Sequence, residues 1–432
     1  MLGAGAESDG AGERMTGRGP ITGGPIAIEG TAPVGTAQLR WASRASTIDG
    51  IERELARIWA QPKLTAEVDG VEVRNIAART SVMNLVVIAQ QAEDGEHGAS
   101  IIGQLTGRHP SRTLILSSAD PDGPGWLDAR ITAQCILPRA DAPETCAETI
   151  YITAGGETGR HLDAIVEPLL IHDLPVTVWW PGEARLESQQ VRDVLASADR
   201  LVVDGSSWGG DGLARLRELA RLASTTRTAV SDFALARQSR WREAIASTFD
   251  MPEFLPYLRS LRRVAVTYGT RDESGLPGRT NLVKPLYHVA WLASRLGLEV
   301  VKPLAAVIGA VAAPRPGVKP TPGRGYAATL RQGTTDIAVV IRPVLSSTPA
   351  GTTLRVELLC ERRGSELRVD VTAQAESVGV RAWQDGVEIL DRRFNAARRT
   401  EADLLAEAIE AGGHDQVADD AVRMAALIVA AA

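Results

Sequence analysis

Cysteine is scarce in this chain: of 432 residues only Cys135, Cys146 and Cys360 carry a thiol, an odd number with no CxxC spacing. That spacing offers neither a zinc site nor the paired framework of a small secreted domain, so buried structural thiols in a reducing cytoplasm are expected. Long apolar runs are missing too. The longest apolar stretch without a charge, Pro303 to Ala313, falls well short of the roughly 18 residues a membrane span requires. The amino terminus has no positive start followed by an apolar segment, so no secretory signal is read there, and no membrane partner is expected. Strong charge of either sign is also absent. With 47 Lys and Arg against 53 Asp and Glu, the net charge of -6 gives no basic excess to neutralise a phosphate backbone. Nucleic acid is thereby excluded as the main partner.

Cofactor signatures are lacking as well. No GxGxxG follows a strand-like run and no GxxxxGK[ST] occurs, so the chain carries no nucleotide fingerprint. The six histidines show no i, i+4 pair around a carboxylate and no cysteine at ligand spacing, so no metal and no cofactor are expected. His109 lies two residues before Ser111, but no nucleophile elbow accompanies them, and the segment reads as a loop entering a strand at Pro110. Asp419 and Asp420 point to different helix faces and read as solvated surface rather than an acid and base couple.

What is present is alternation. SVMNLVVIA (81–89), RTLILSS (112–118), LPVTVWW (174–180) and RLVVD (200–204) are β-rich apolar runs, and helical periods such as GLARLRELARLA (212–223) separate them. The pattern predicts an α/β fold: a doubly wound, mainly parallel sheet over 46–312. Before it, 1–45 holds ten glycines in the first 35 positions and reads as a disordered tail. After it, 313–325 packs four prolines among basic residues and reads as a linker. The remainder, 326–432, predicts an α+β domain of antiparallel hairpins and two terminal helices, with an Asp385-Gly386 turn and a Thr400 cap. The loop Ser206 to Gly212 follows a strand and opens a helix, as an anion loop does; a plain connection with Asp211 as the cap is the simpler reading.

Tryptophan supplies 9 of the 18 aromatic residues. Trp179 and Trp180 end a strand at Pro181, so their rings point to opposite sides of the carboxyl edge where open α/β sheets present a crevice; one is expected in the core, the other as an anchor. Trp241 lies between Arg240 and Arg242, an aromatic with the cationic fringe common at protein interfaces. These five residues are the candidate partner-binding set.

The segments that carry these residues resemble the glucose-6-phosphate dehydrogenase assembly protein family, the OpcA family of bacteria. The similarity rests on PLLIHDLPVTVWWPGE (168–183), DRLVVD (199–204), DFALARQSRWREAIASTFD (232–250), RTSVMNLVV and HPSRTLIL, in that family's order across most of 75–300. The resemblance implies a non-catalytic protein that binds glucose-6-phosphate dehydrogenase, promotes its active oligomer and raises its activity in the oxidative pentose phosphate pathway. A competing reading is a sugar-phosphate or nucleotide-binding enzyme with a divergent anion loop at Ser206 to Gly212.

Overall fold

A computed structural model of the chain describes residues 24–25, 35, 38–60, 65–68, 71–74, 78–79, 81–90, 92–105, 108–119, 122–136, 139, 145–272, 278–309, 323–374 and 376–430. The apolar runs become strands β1 (Gln38–Ala45), β2 (Met83–Ala89), β3 (Ser111–Ala119), β4 (Trp126–Ile136), β5 (Thr145–Gly155), β6 (Val176–Trp180), β7 (Arg200–Val203) and β8 (Ala229–Asp232). They lie side by side as β1-β4-β5-β3-β2-β6-β7-β8 in a ten-stranded sheet, which Gly24–Pro25 and Ala78–Arg79 complete. From β5 to β8 every neighbouring pair is parallel. Numbered in chain order, these six strands read 3-2-1-4-5-6, the doubly wound order of dinucleotide-binding domains.

The tail expected through residue 45 ends sooner. Gln38–Ala45 pairs antiparallel with β4, because Trp41 and Ser43 on one side of it can be buried there. Apart from Gly24–Pro25 and Gly35, the residues before 38 lie outside the described ones. Side chains alternate along each parallel strand and so feed two cores. Val86, Ile88, Leu201 and Val203 lie in one core with Ile51 and Leu55 of α1 (Ile48–Ala60), and Leu85, Val87 and Val202 lie in the other with Ile102 of α2 (Ala92–Gly103). The first face also takes α3 (Leu162–Leu169), α4 (Gln189–Leu195) and α5 (Leu213–Thr225) through Ile165, Leu195 and Leu219.

From Leu261 the chain builds a second sheet. Its strands are β9 (Leu261–Thr270), β10 (Glu299–Gly309), β11 (Gly323–Gln332), β12 (Thr335–Leu345), β13 (Thr353–Arg362), β14 (Ser365–Ala373), β15 (Ser377–Gln384) and β16 (Val387–Asn395). The order is β10-β11-β12-β9-β13-β14-β15-β16, with β9–β12 as the one parallel pair among its recorded pairings. RRVAVTY (262–268) and EVVKPL (299–304), which fall within the 46–312 expected of the first sheet, belong here, since period and apolarity do not say which sheet a strand joins. Residues 313–322 of the expected linker lie outside the described ones, and Gly323 already opens β11. The Asp385-Gly386 turn takes positive φ at both residues, 50° and 85°, as its hairpin requires.

Helices α6 (Ser239–Phe249) and α7 (Val283–Leu296) cover one face of this sheet, with Ile245, Leu286 and Tyr287 in the shared core. The chain closes with α8 (Glu401–Glu410) and α9 (Gln416–Val429). Thr400 caps α8, as the sequence predicted, and Asp403 completes a capping box with it. Leu404 and Leu405 of α8 return to the first sheet and join the core beside Trp179.

Two local expectations are corrected. Cys135 stands directly opposite Cys146 across β4 and β5, and the two form a disulfide; Cys360 alone is a free buried thiol, pushed up to about 12 by burial. Asp419 is buried rather than solvated and accepts from His414 Nδ1 at 3.0 Å, because α9 turns that face towards the 413–415 loop and α5. Among the described residues no helix is long and apolar enough to cross a membrane, and no group of three potential ligands could hold a metal.

Candidate functional site

In a doubly wound sheet the crevice opens where the strand order reverses, outside the carboxyl ends of the strands. Here that point lies between β2 and β6. Gln90, just beyond β2, donates its side-chain amide to the Glu183 carbonyl beyond β6 and ties the two edges together. α2 starts beside them with Glu93 and Asp94 in its first turn. A Cβ placed at Gly182 would stand 3.2 Å from Asp94 Oδ2, so the carboxylate lies over the second edge. Carboxylates at a helix amino terminus suit its dipole, and in this topology that helix terminus is where a pyrophosphate is normally received.

The neighbouring loop after β7 has spent its amides in the same way. Gly205 N–H donates to Asp232 Oδ1 at 2.9 Å, Ser206 N–H to Asp204 Oδ1 at 3.0 Å and Gly209 N–H to Glu183 Oε2 at 3.2 Å. Leu213 N–H donates to Asp211 Oδ1 at 3.0 Å, but the N-cap of α5 is Gly212, in the left-handed region, and not the expected Asp211. The Asn281 side chain then clamps the loop, donating to the Gly205 and Trp208 carbonyls at 2.9 and 3.0 Å. Backbone donors that would receive an anion are thus paired with the chain's own carboxylates, and the loop joins the first sheet to α7.

Beneath it sits a buried polar cluster. Asp232 accepts from Ala234 N–H at 2.8 Å and from the Tyr287 hydroxyl at 2.7 Å. Burial, with Asp204 alongside, raises its carboxyl to about 6, and burial beside Asp232 raises the Tyr287 hydroxyl as well. Asp204 accepts from Arg237 at 2.7 Å, and burial with Arg237 nearby lowers the Lys284 amine.

Of the five sequence candidates, three rings lie inside the protein. Trp179 and Trp180 do point to opposite faces of the first sheet, yet both are buried, at 1% and 5% exposure. Trp179 packs 6.2 Å from Phe233, on the face that α8 covers; that cover, drawn from the far end of the chain, is what the local pattern could not show. Trp241 is buried against His288, its ring centroid 5.0 Å away. Arg242 donates to the Leu235 carbonyl at 2.7 Å, and Arg240 stands exposed, paired with Glu243 at 2.6 Å. Trp179 and Trp180 are not brought to Trp241 as one surface patch.

The solvent-reachable tryptophan with a guanidinium on it is a pair the sequence reading passed over: Arg368 lies 4.2 Å over the half-buried Trp383 on neighbouring strands. The signal was the alternation of Arg381 and Trp383 before the Asp385-Gly386 turn, legible only once β14 is known to be the neighbour.

Two family models match this chain. Residues 102–221 match the glucose-6-phosphate dehydrogenase subunit N-terminal domain and residues 228–422 the C-terminal domain of the same subunit. The chain belongs to the glucose-6-phosphate dehydrogenase assembly protein family, the OpcA family. It is also 25% identical over 200 residues to a putative OxPP cycle protein OpcA of Synechocystis sp. (strain ATCC 27184 / PCC 6803 / Kazusa), a stretch that covers 46% of this chain and 40% of that protein. Among solved structures it is similar to an oxidoreductase from Sinorhizobium meliloti (13% identity, 80% of this chain and 95% of that one, TM-score 0.42). A second is an NAD binding oxidoreductase from Klebsiella pneumoniae (10% identity, 81% and 97%, TM-score 0.43). Similarity at that level carries no argument about chemistry. The boundary between the two matched family domains, at 221–228, falls just before β8, so the last strand of the first sheet lies within the C-terminal match.

Proposed function

We propose that this chain is a non-catalytic assembly factor that binds glucose-6-phosphate dehydrogenase, favours its active oligomer and thereby raises its activity. Family membership is the observation that carries the reading. The charge at the switch point supports it: with Glu93 and Asp94 in the first turn of α2, a dinucleotide phosphate meets negative charge where such folds normally supply free amides. The competing enzyme reading rests on the loop Ser206 to Gly212, and the carboxylates already bonded to that loop count against it.

To act on assembly, the protein must bind one state of the dehydrogenase more tightly than another, because equal affinity shifts no population. Within the candidate set Arg240 is the exposed member, and Trp241 and Arg242 support its helix from below; Trp179 and Trp180 hold the adjoining sheet. The test mixes purified chain with the dehydrogenase from the same cell and follows NADP-linked turnover and oligomer mass together. Activation with a shift in mass is the expected result. Activation at constant mass refutes the assembly step, and turnover by this chain alone refutes the non-catalytic reading. Arg240→Glu separates the proposed contact from folding, since an exposed substitution changes stability by no more than about 0.5 kcal/mol.

A further inference from the structure

Beyond the carboxyl ends of β7 and β8, the first turn of α7 sits on the turn Gly205–Ser207: a Cβ added at Gly205 would stand 2.8 Å from Val283 Cγ1. Lys284 is the next residue, and its carbonyl accepts from Gln238 Nε2 at 2.6 Å, which fixes the start of the helix against the segment after β8. The loop that leads from β16 into α8 comes to the same place, since Arg237 Nη2 lies 3.6 Å from Glu401 Oε1, three residues on from Arg398. Arg237, Lys284 and Arg398 thus meet from three separate segments, near enough for both guanidinium groups to disfavour the charge on Lys284.

Most cations on this side are matched. Arg237 is bonded to Asp204 at 2.7 Å, Arg240 to Glu243 at 2.6 Å, and Arg399 to Glu407. Lys284 and Arg398 have no hydrogen bond or ion pair among the described residues. Asp204 and Asp232 attract the Lys284 ammonium from a distance, but their oxygens are taken. Asp204 Oδ1 accepts from the Ser206 N–H and hydroxyl at 3.0 and 2.6 Å, and Oδ2 accepts from Arg237. Asp232 Oδ1 accepts from Gly205 and Ala234 N–H, and Oδ2 from the Tyr287 hydroxyl. Behind Lys284, Gln238 is 4% exposed and its Oε1 has no partner; His288, 2% exposed and one turn further along α7, has none on either nitrogen. Buried polar atoms are rarely left unpaired, so these mark a place for a polar occupant.

We infer that Lys284 and Arg398 form a binding site for the phosphate group of a small molecule. Two cations without a carboxylate suit a phosphate monoester, whose charge near neutral pH is about −1.5 to −2. An ammonium offers three N–H donors and a guanidinium a planar fork of five, which match phosphate oxygens. Arg237, held in place by Asp204, adds positive potential beside them. Gln238 Oε1 accepts from a hydroxyl, so a hydroxylated ester gains a contact beyond its phosphate. The site is built from side chains and does not need the amides of the β7 loop, which the chain's own carboxylates occupy. It concerns what this chain binds alone, and it does not rest on the dehydrogenase reading.

Isothermal titration calorimetry and melting of the full chain in phosphate-free buffer test it, with inorganic phosphate and glucose 6-phosphate as probes and potassium chloride at equal ionic strength as the control. One site per chain is expected, weakening as salt rises. Arg398→Ala and Lys284→Met should each weaken binding by about tenfold or more, the loss that goes with one hydrogen bond to a charged group. Arg398 is exposed, so its variant keeps the test open where the half-buried Lys284 does not tolerate replacement. Arg392→Ala, at an exposed arginine of β16, should leave binding unchanged, which separates the site from a general loss of positive charge. Tighter binding of glucose 6-phosphate than of inorganic phosphate assigns the site to an ester, and equal binding assigns it to free phosphate. Neither heat nor a melting shift beyond the chloride control, with either probe, overturns the inference. So does binding that Arg398→Ala leaves unchanged, or that Arg392→Ala weakens as much.

Discussion

Replacing Asp232 by Asn tests whether the buried carboxyl beneath the β7 loop is held at a cost. The side chain is 4% exposed, and burial beside Asp204 raises its carboxyl from 3.8 to about 6. A shift of that size is worth about 3 kcal/mol, at about 1.4 kcal/mol per unit. Its sign follows from proton counting: between the unfolded and folded values the native chain holds a proton that the unfolded chain has lost, so stability falls as pH rises. The contribution is fully present below 3.8 and gone above about 6. Asn retains an oxygen for Gly205 N–H and Ala234 N–H, and its amide can donate to the Tyr287 hydroxyl, yet it cannot ionise. Urea unfolding of both proteins, followed by tryptophan fluorescence from below pH 3.8 to above pH 6, isolates the group because every other titration is shared. The Asn variant is expected to gain on the wild type by about 1.4 kcal/mol per pH unit through that interval and to level off about 3 kcal/mol ahead. A difference that stays flat across the interval, or a wild type that gains as pH rises, would refute the argument.

Other outcomes follow from single observations. Reducing the Cys135–Cys146 bridge, which spans 11 residues, should lower stability by about 3 kcal/mol on chain-entropy grounds; mass spectrometry without reductant should show a mass two hydrogen atoms below that of the reduced chain. Gly212→Ala should cost about 2–3 kcal/mol, since Gly212 has φ +74° and an added Cβ would stand 2.8 Å from Asn281 Nδ2; an unchanged melting curve would remove the loop clamp from the account. Trp179→Ala should cost about 3–5 kcal/mol as a core cavity, so any loss of dehydrogenase activation in that variant must be compared with its unfolding curve before it is assigned to a contact.

Much of the architecture could be read locally. The apolar runs at 81–89, 112–118, 174–180 and 200–204 became parallel strands, because fully buried strands need continuous apolar sequence and the intervening segments have helical period. The Thr400 cap and the Asp385-Gly386 turn were legible for the same reason: each is decided within four residues. Sheet membership was not. RRVAVTY looks equally suited to either sheet, and its place at the centre of the second one depends on partners near 340 and 356. The candidate site was legible in part. The absence of a glycine fingerprint pointed away from a nucleotide, but the carboxylates that fill its place come from three loops, after β2, β6 and β7, that meet only in the fold.

By itself, then, the sequence determined the alternating α/β elements, the caps and turns, the opposed directions of Trp179 and Trp180, and the family. Those features depend on neighbours along the chain, whose geometry a period or a motif fixes. Tertiary structure alone decided that α8 returns to bury Trp179, that Cys135 meets Cys146, and that Arg263 meets Glu357 and Arg355 meets Asp370 across neighbouring strands. Each of these joins residues from separate segments, and only strand register and packing set the distance between them.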